Sequence, residues 1–488
     1  MNTLVELLLH SAHTWPKRTA LKTVGGDEVT YEQLAGKAAR WSRFLSSAGI
    51  ARGDHVALLT RNSSEAVAAY FGILSAGAVA VPINHSSEAE IVRDVVEDSE
   101  AKALVQEPML GRRAGDLGDI QRLNLPEIAD FQDTATNSAD SHADVTADDL
   151  ASIVYTSGST SKPMGVMLSH QNLTSNGLSI AEYMKLRENE SVLCVLPLYY
   201  IYGFSLVLSH MAVGGCVVFE NRFLYPQTVV DSLAATNATG FAGVSSHYHL
   251  LMRDTDFLTR DFPALRYFQH AGDKMPTTTT GKIVEAFPNK ELYLMYGQTE
   301  AAPRLSYLHP SKTATKPASV GQAIPGVDLK VIREDGSDCD AEEDGQIVAA
   351  GPNIMRGYWK HPQKTAEKLR DGWLHTGDLG HVDTDGDIFI SGRASQFLKV
   401  GGRRISPTEI EGVCLEHPSV DEAAVIGVDD EVLGQRTKLF VVPNETDSDE
   451  LMEFLKKRLP TYKLPSEIET LAQLPKKANG KVDKNQLS

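Results

Sequence analysis

Apolar positions along this chain switch between two spacings, and the switches predict its elements. Helical spacing, with apolar residues three and four apart, runs over residues 31–45, 65–74 and 87–96. Between these lie short apolar runs at 55–59, 78–82 and 103–105, which read as buried strands. The run at 151–154 reads the same way. Further on, strand patterns at 214–219, 240–244, 265–269 and 292–295 alternate with helical patterns at 228–235 and 246–252. Repeated strand–helix–strand units imply parallel sheets covered on both faces, so the expected class is α/β. In such sheets ligands gather beyond the carboxyl ends of strands, among strand-to-helix loops. The loop after Val154 is expected to be one of these.

The pattern changes three times more. Residues 130–149 are polar and acidic, as an exposed connector would be. Residues 320–392 carry short strands and the turn pairs Asp335-Gly336, Asp344-Gly345 and Asp385-Gly386, which suggest a small antiparallel or barrel-like subdomain. After Arg393, helices at 408–416 and 449–459 and strands near 423–428 and 437–442 make a compact α+β module. Its 16 acids and 13 bases nearly balance, unlike the rest of the chain. A boundary is expected near residue 394, and no internal repeat is visible.

Composition narrows the class. A chain of 488 residues exceeds one ordinary core. Its net charge of −17 argues against broad nucleic-acid binding or an anionic membrane surface, though a local basic patch would still hold an anionic ligand. Cys194, Cys216, Cys339 and Cys414 lie far apart with no CxxC pair, as reduced core residues of a cytosolic protein do. The run at 4–9 contains Glu6 and has no basic residue before it, which is unlike a signal peptide. No stretch is long enough to span a bilayer.

Chemistry concentrates in Tyr155-Thr156-Ser157-Gly158-Ser159-Thr160-Ser161-Lys162-Pro163-Met164-Gly165. Backbone N–H groups, hydroxyls and a lysine in one turn suit a polyphosphate. No Gly-Lys-Ser/Thr closes it, so it is not a Walker A loop. A polar surface turn is the alternative. Four more segments are unusual: Tyr296-Gly297-Gln298-Thr299-Glu300, Trp373-Leu374-His375-Thr376-Gly377-Asp378-Leu379-Gly380, the stretch from Gly392-Arg393 to Pro407, and Pro475-Lys476-Lys477-Ala478-Asn479-Gly480-Lys481. Singly they read equally well as a turn, an Asx turn, a linker and a solvated basic face.

Together, in this order, the set resembles the adenylate-forming superfamily: acyl- and aryl-CoA synthetases, peptide-synthetase adenylation domains and luciferase. The resemblance runs from Thr30-Tyr31-Glu32-Gln33-Leu34 to Lys481. It implies a large N-terminal domain (1–392) of two doubly wound sheets plus the small barrel-like subdomain, a hinge (393–395, centred on Ser395), and a mobile α+β C-terminal lid (396–488). It also implies ATP and Mg²⁺, and CoA or phosphopantetheine as acceptor. Thr156, Ser157, Gly158, Ser159, Thr160 and Lys162 would hold the β- and γ-phosphates. Glu300 would hold the metal, and Thr299 would face the α-phosphate. Tyr296 would stack on adenine, in the Gly297-Gln298 turn, with Gly272 and Asp273 as further adenine contacts. Asp378 would accept from the ribose hydroxyls and Arg393 would contact ribose or phosphate. Lys481 would bridge the carboxylate and α-phosphate in the first half-reaction. After a domain rotation, Lys399 and a strand Val400-Gly401-Gly402 would face the site in the second. Tyr199, Tyr200, Phe204, Ser246, His247, His270 and Ala271 would line the acyl pocket.

Three positions depart from the family pattern. Ser161 replaces a glycine, Met164 replaces a lysine, and Ser395 is neither acidic nor lysine. Loss of charge at Met164 should weaken the hold on departing pyrophosphate, with Lys162 the other cation of the loop, so Met164→Lys is expected to speed exchange. The implied function is an ATP-dependent acid–thiol ligase for a small or medium carboxylic or amino acid. The resemblance also admits a carrier protein in place of CoA as partner, with no nucleic acid and no membrane insertion expected. An adenylate- or amide-forming ligase and a non-catalytic nucleotide-binding scaffold are the alternatives.

Overall fold

Thr30 closes a capping box with Gln33 and starts the helix Tyr31–Ser47. The computed structural model describes residues 1–125, 128, 143–156, 163–430, 432–443, 448–476 and 482–487. The predicted alternation is present throughout. The strand predicted at 55–59 is His55–Leu59, the helix at 65–74 is Ser64–Ser75, and the strand at 265–269 is Tyr267–His270.

Two large sheets result. In the seven-stranded one, Leu150–Thr156, Val79–Pro82, His55–Leu59, Ala103–Gln106 and Gln121–Asn124 run parallel. Met164–Ser169 and Gly357–Tyr358 extend it antiparallel at one edge. The other sheet has 14 strands. Its parallel part runs through Ser191–Cys194, Gly240–Gly243, Tyr267–His270 and Glu291–Gly297. Its antiparallel part takes in Arg304–Leu308, Ser319–Ala323, Trp373–Val382 and Ile388–Arg393.

Helix Ile201–Met211 is buried at every residue, and helix Ser64–Ser75 at every residue but Glu65. A helix apolar on all sides belongs inside, not on a surface. One hydrophobic cluster joins them to strands of both sheets, including Val56, Ala80, Val192 and Val217. Gly72 lets helix Tyr31–Ser47 approach, since a Cβ there would lie 2.2 Å from the Cβ of Trp41. The buried Trp41 donates Nε1–H to Glu65 at 2.6 Å, so its one polar atom is satisfied.

After Leu398 a five-stranded sheet carries the helices Pro407–Cys414 and Ser448–Lys456. It has its own apolar cluster around Ile405, Ile410, Leu439 and Leu451. No helix among the described residues is long and apolar enough to cross a membrane.

Four expectations change. The loop after Thr156 joins two antiparallel strands, with Thr156 opposite Met164, so it is a hairpin loop and not a strand-to-helix loop. It still leaves the carboxyl end of a parallel strand. The antiparallel strands after 320 do not stand apart: Ser306 pairs with Ala323, which joins them edge to edge to the parallel sheet. Gly345 lies in the strand Gly345–Ala350, where a Cβ would meet Ile332 O at 2.5 Å, so glycine serves close approach there and not a turn. Gly401 and Gly402, at φ +55° and +78°, form the hairpin turn between Leu398–Val400 and Arg403–Ile405 and not a strand. Most of the acidic connector lies outside the described residues. Its end is pinned, with Ala143 N donating to Ser75 O at 2.9 Å and Arg52 paired with Asp149 at 2.6 Å.

Candidate active site

Asp378 and Arg393 face each other across neighbouring strands. Arg393 Nε lies 3.0 Å from Asp378 Oδ1, and Tyr296 Oη donates to Asp378 Oδ2 at 2.6 Å. Asp378 is 4% exposed. Each of its oxygens already accepts one bond and has a further lone pair for another. Burial and then the Asp378 carboxylate hold the Tyr296 phenol well above its usual range. Burial opposes the Arg393 charge, but the carboxylates of Asp378 and Glu300 outweigh it and raise the guanidinium pKa. Glu300 thus belongs to the same electrostatic cluster.

Glu300 sits in the 3₁₀ turn Thr299–Ala301, directly after the strand Glu291–Gly297. Tyr358 Oη donates to Glu300 Oε1 at 2.7 Å, and Met355 N donates to Glu300 O at 2.9 Å. Glycine is required at 297, since a Cβ would lie 1.9 Å from Pro303 O. Thr299 is half-buried, and its carbonyl accepts from Ala302 N. The buried Gln298 Nε2 has no partner among the described residues. A buried donor without an acceptor is costly unless a ligand supplies one. That orphan, with Glu300 Oε2 unpartnered among the described residues, fits a nucleotide and a hard cation.

Lys368 completes this side. Its ammonium donates to His375 O at 3.2 Å and Thr376 O at 2.9 Å, and burial lowers its pKa. Sequence reading missed Tyr358 and Lys368, because nothing local marks a residue whose partner lies far away in the chain.

The phosphate-loop candidates Ser157, Gly158, Ser159, Thr160 and Lys162 lie outside the described residues, as do Ser161 and Lys481. Thr156 is half-buried at the loop's start. Lys399 is exposed on Leu398–Val400, its N–H donating to Gln435. Ser395 lies exposed in the 3₁₀ turn Ala394–Gln396.

On the acyl side, Tyr199 and Tyr200 are half-buried with ring centroids 4.4 Å apart. Asn62, which no motif marks, holds their segment by donating to Leu196 O and accepting from Leu198 N, both at 2.9 Å. Phe204 is in the core, 4.2 Å from the Tyr70 ring. His270 Nε2 lies 3.0 Å from both Asp273 Oδ1 and Ser245 Oγ. Ser245 supplies the hydroxyl of this cluster, and Ser246 is half-buried on the same helix. Burial opposes ionisation of Asp273, but bonds from His270 and Ser245 prevail and lower its pKa. The turn Ala271-Gly272 is shaped by Gly272 at φ +102°. His247 packs on Phe223 at 4.2 Å, and burial pushes it down to about 4.

A second acidic group already holds a cation of the chain itself. Lys316 Nζ lies 2.5, 2.7 and 2.7 Å from Asp383, Asp385 and Asp387, so an ammonium fills that cluster.

Two sheets sharing a core, with the paired strands Leu150–Thr156 and Met164–Ser169 and the cluster of Glu300, Asp378 and Arg393, define a nucleotide-type site in an α/β enzyme. A family model described as AMP-binding enzyme matches residues 8–359, and one described as AMP-binding enzyme C-terminal domain matches residues 409–481. The chain belongs to the AMP-binding enzyme family. It is 33% identical over 476 residues to a feruloyl-CoA synthase of Amycolatopsis sp, covering 97% of this chain and 96% of that protein. It resembles the O-succinylbenzoate coenzyme A synthetase of Bacillus subtilis solved with ATP and magnesium ion (TM-score 0.88, 28% identity, 99% of this chain and 98% of that one). It also resembles an anthranilate CoA ligase solved with anthranoyl-AMP (TM-score 0.91, 26% identity, 99% and 96%).

Proposed function

We propose that this protein is an ATP-dependent acid–thiol ligase that converts a small or medium, flat carboxylic acid into its CoA thioester. The observation that carries this reading is the convergence of Glu300, Asp378 and Arg393 on one cluster beside the hairpin that begins at Thr156. Asp378, steadied by Tyr296 and Arg393, accepts from the ribose hydroxyls. Thr156 and the loop after it hold the phosphates. Glu300 would hold Mg²⁺, which would neutralise negative charge on the phosphate oxygens. An oxygen of the acid's carboxylate attacks the α-phosphorus, the bond to the β-phosphate bridge breaks, and pyrophosphate leaves with the electron pair. Thr299 and Lys481 face the α-phosphate and offset the charge that develops there. The sulfur of CoA then attacks the acyl carbon, the bond from that carbon to the AMP oxygen breaks, AMP leaves with the electron pair, and the thiol proton is released to solvent. The C-terminal module, hinged at Ser395, brings Lys399 to the site for that second step.

The Tyr199–Tyr200 pair supports an aromatic or otherwise flat acid. We take CoA as the acceptor, the thiol named in the relatives; a carrier-protein phosphopantetheine presents the same arm. Four free cysteines support a reducing cytosol. ATP–pyrophosphate exchange over a panel of aromatic, aliphatic and amino acids tests the first step, and CoA or a holo-carrier protein added to an active mixture tests the second. Exchange with at least one flat acid is expected. No exchange with any acid would overturn the reading.

A further inference from the structure

The helix Pro362–Lys368 carries Lys364 to the loop end of the phosphate hairpin, where Thr156 and Met164 pair. Lys364 Nζ lies 3.2 Å from the sulfur of Met164, the first residue of the returning strand. A thioether is a weak acceptor for an ammonium with three N–H groups. Among the described residues, Lys364 has no carboxylate partner. A half-buried cation resting on sulfur, in a chain of net charge −17, is a donor without its acceptor.

Its placement is fixed by the hairpin itself. Tyr358 pairs with Val166, and Trp359 N donates to Gly165 O at 2.8 Å. Thr365 Oγ1 accepts from Tyr358 N at 2.9 Å, which seats the helix on that short strand. The same Tyr358 holds Glu300 through its hydroxyl. Lys368 is one turn beyond Lys364 on the same face, four residues on. Its ammonium lies at Thr376, two residues from Asp378. The helix therefore lines up two ammonium groups from the Asp378 end of the site to the hairpin end. With ribose at Asp378, that is the course of a triphosphate.

We propose that Lys364 is the cation that grips the terminal phosphates of ATP and the departing pyrophosphate, at the hairpin end where Met164 carries no charge. This rests on the ligase reading above. It also reverses the expectation for Met164→Lys. A second ammonium beside Lys364 repels it, so that substitution alone brings no gain.

The test titrates the full-length protein with ATP and with AMP by calorimetry, for Lys364→Met, Met164→Lys and the double variant. Lys364→Met should weaken ATP binding about tenfold, as expected for one charge-assisted bond. AMP, which lacks the terminal phosphates, should bind as before. The double variant should recover most of the ATP affinity, because a lysine then stands on the strand instead of the helix. In exchange assays KM for pyrophosphate should rise about tenfold and KM for the acid stay constant. Unchanged ATP affinity in Lys364→Met, or equal losses for ATP and AMP, would overturn the proposal. If Lys364→Met does not fold, Lys364→Arg must keep the preference for ATP over AMP and Lys364→Gln must lose it. A protein that shows the selective ATP effect yet no exchange with any acid would refute the ligase reading and leave Lys364 in its role.

Discussion

The hydroxyl of Tyr358 and the carboxylate of Glu300 meet at 2.7 Å across 58 residues of sequence. The bond ties the edge strand that pairs with the phosphate hairpin to the turn carrying the candidate metal ligand. Burial and the neighbouring carboxylate raise the Tyr358 pKa, so it stays a donor over the whole working range.

Tyr358→Phe removes that donor and little volume. Glu300 then loses its orientation, and the Mg²⁺ concentration giving half-maximal exchange should rise about tenfold, the scale of one bond to a charged group. Thermal stability should change little. A magnesium titration of exchange rate checks this, and an unmoved midpoint would remove Tyr358 from the site.

Asp378→Asn should be far more damaging than Tyr296→Phe. The first replaces the anion that Arg393 faces and the acceptor offered to ribose, and exchange should fall at least about a hundredfold. The second leaves Asp378 charged and should cost about tenfold. Comparable losses in both would mean that Tyr296 does more than steady the carboxylate.

Acid should unfold this protein by a histidine route. Burial pushes His170, His210 and His247 each down to about 4. In the unfolded chain they take up protons near the ordinary value of about 6.5. Folded-state values that are depressed give stability that is complete above pH ~6.5 and is lost as pH falls toward 4. Each contributes a slope of up to about 1.4 kcal/mol per pH unit in that window. Urea unfolding between pH 7 and 5 should show the loss, and His210→Gln should measurably flatten it. An unchanged slope would exclude His210.

Two glycine substitutions should have opposite effects. Gly297→Ala drives a methyl group into Pro303 O and should abolish soluble protein or exchange. Gly281→Ala lies in the helix Thr277–Ala286 with nothing within 4 Å of the new atom, and should stabilise by about 0.5–1 kcal/mol. Melting curves of both variants decide the matter.

Much of this was legible in the sequence. Period and burial agree in elements such as His55–Leu59 and Ser64–Ser75, because each answers to one local rule. Asp378, Arg393, Tyr296 and Glu300 could be singled out because they stand in short motifs, Tyr296 and Glu300 in the same one, and the fold brings them to one cluster. Tyr358, Lys364, Lys368 and Asn62 were not, since each acts through a partner that only the folded chain brings near. The hairpin was misread because Met164–Ser169 is buried on both faces in part and shows no clean alternation. Ser245 and Ser246 are adjacent hydroxyls, and only the position of Asp273 distinguishes them.

Helix Ile201–Met211 has no side that water can wet, and helix Ser64–Ser75 has only Glu65 in partial contact with it. Both are covered within one hydrophobic cluster that takes in strands of both sheets. Partial opening along that seam would strip two apolar rods together, at a cost neither sheet could recover alone. The first 220 or so residues should accordingly unfold as one cooperative unit. A chain cut inside them should yield aggregation-prone fragments, not a smaller working nucleotide domain.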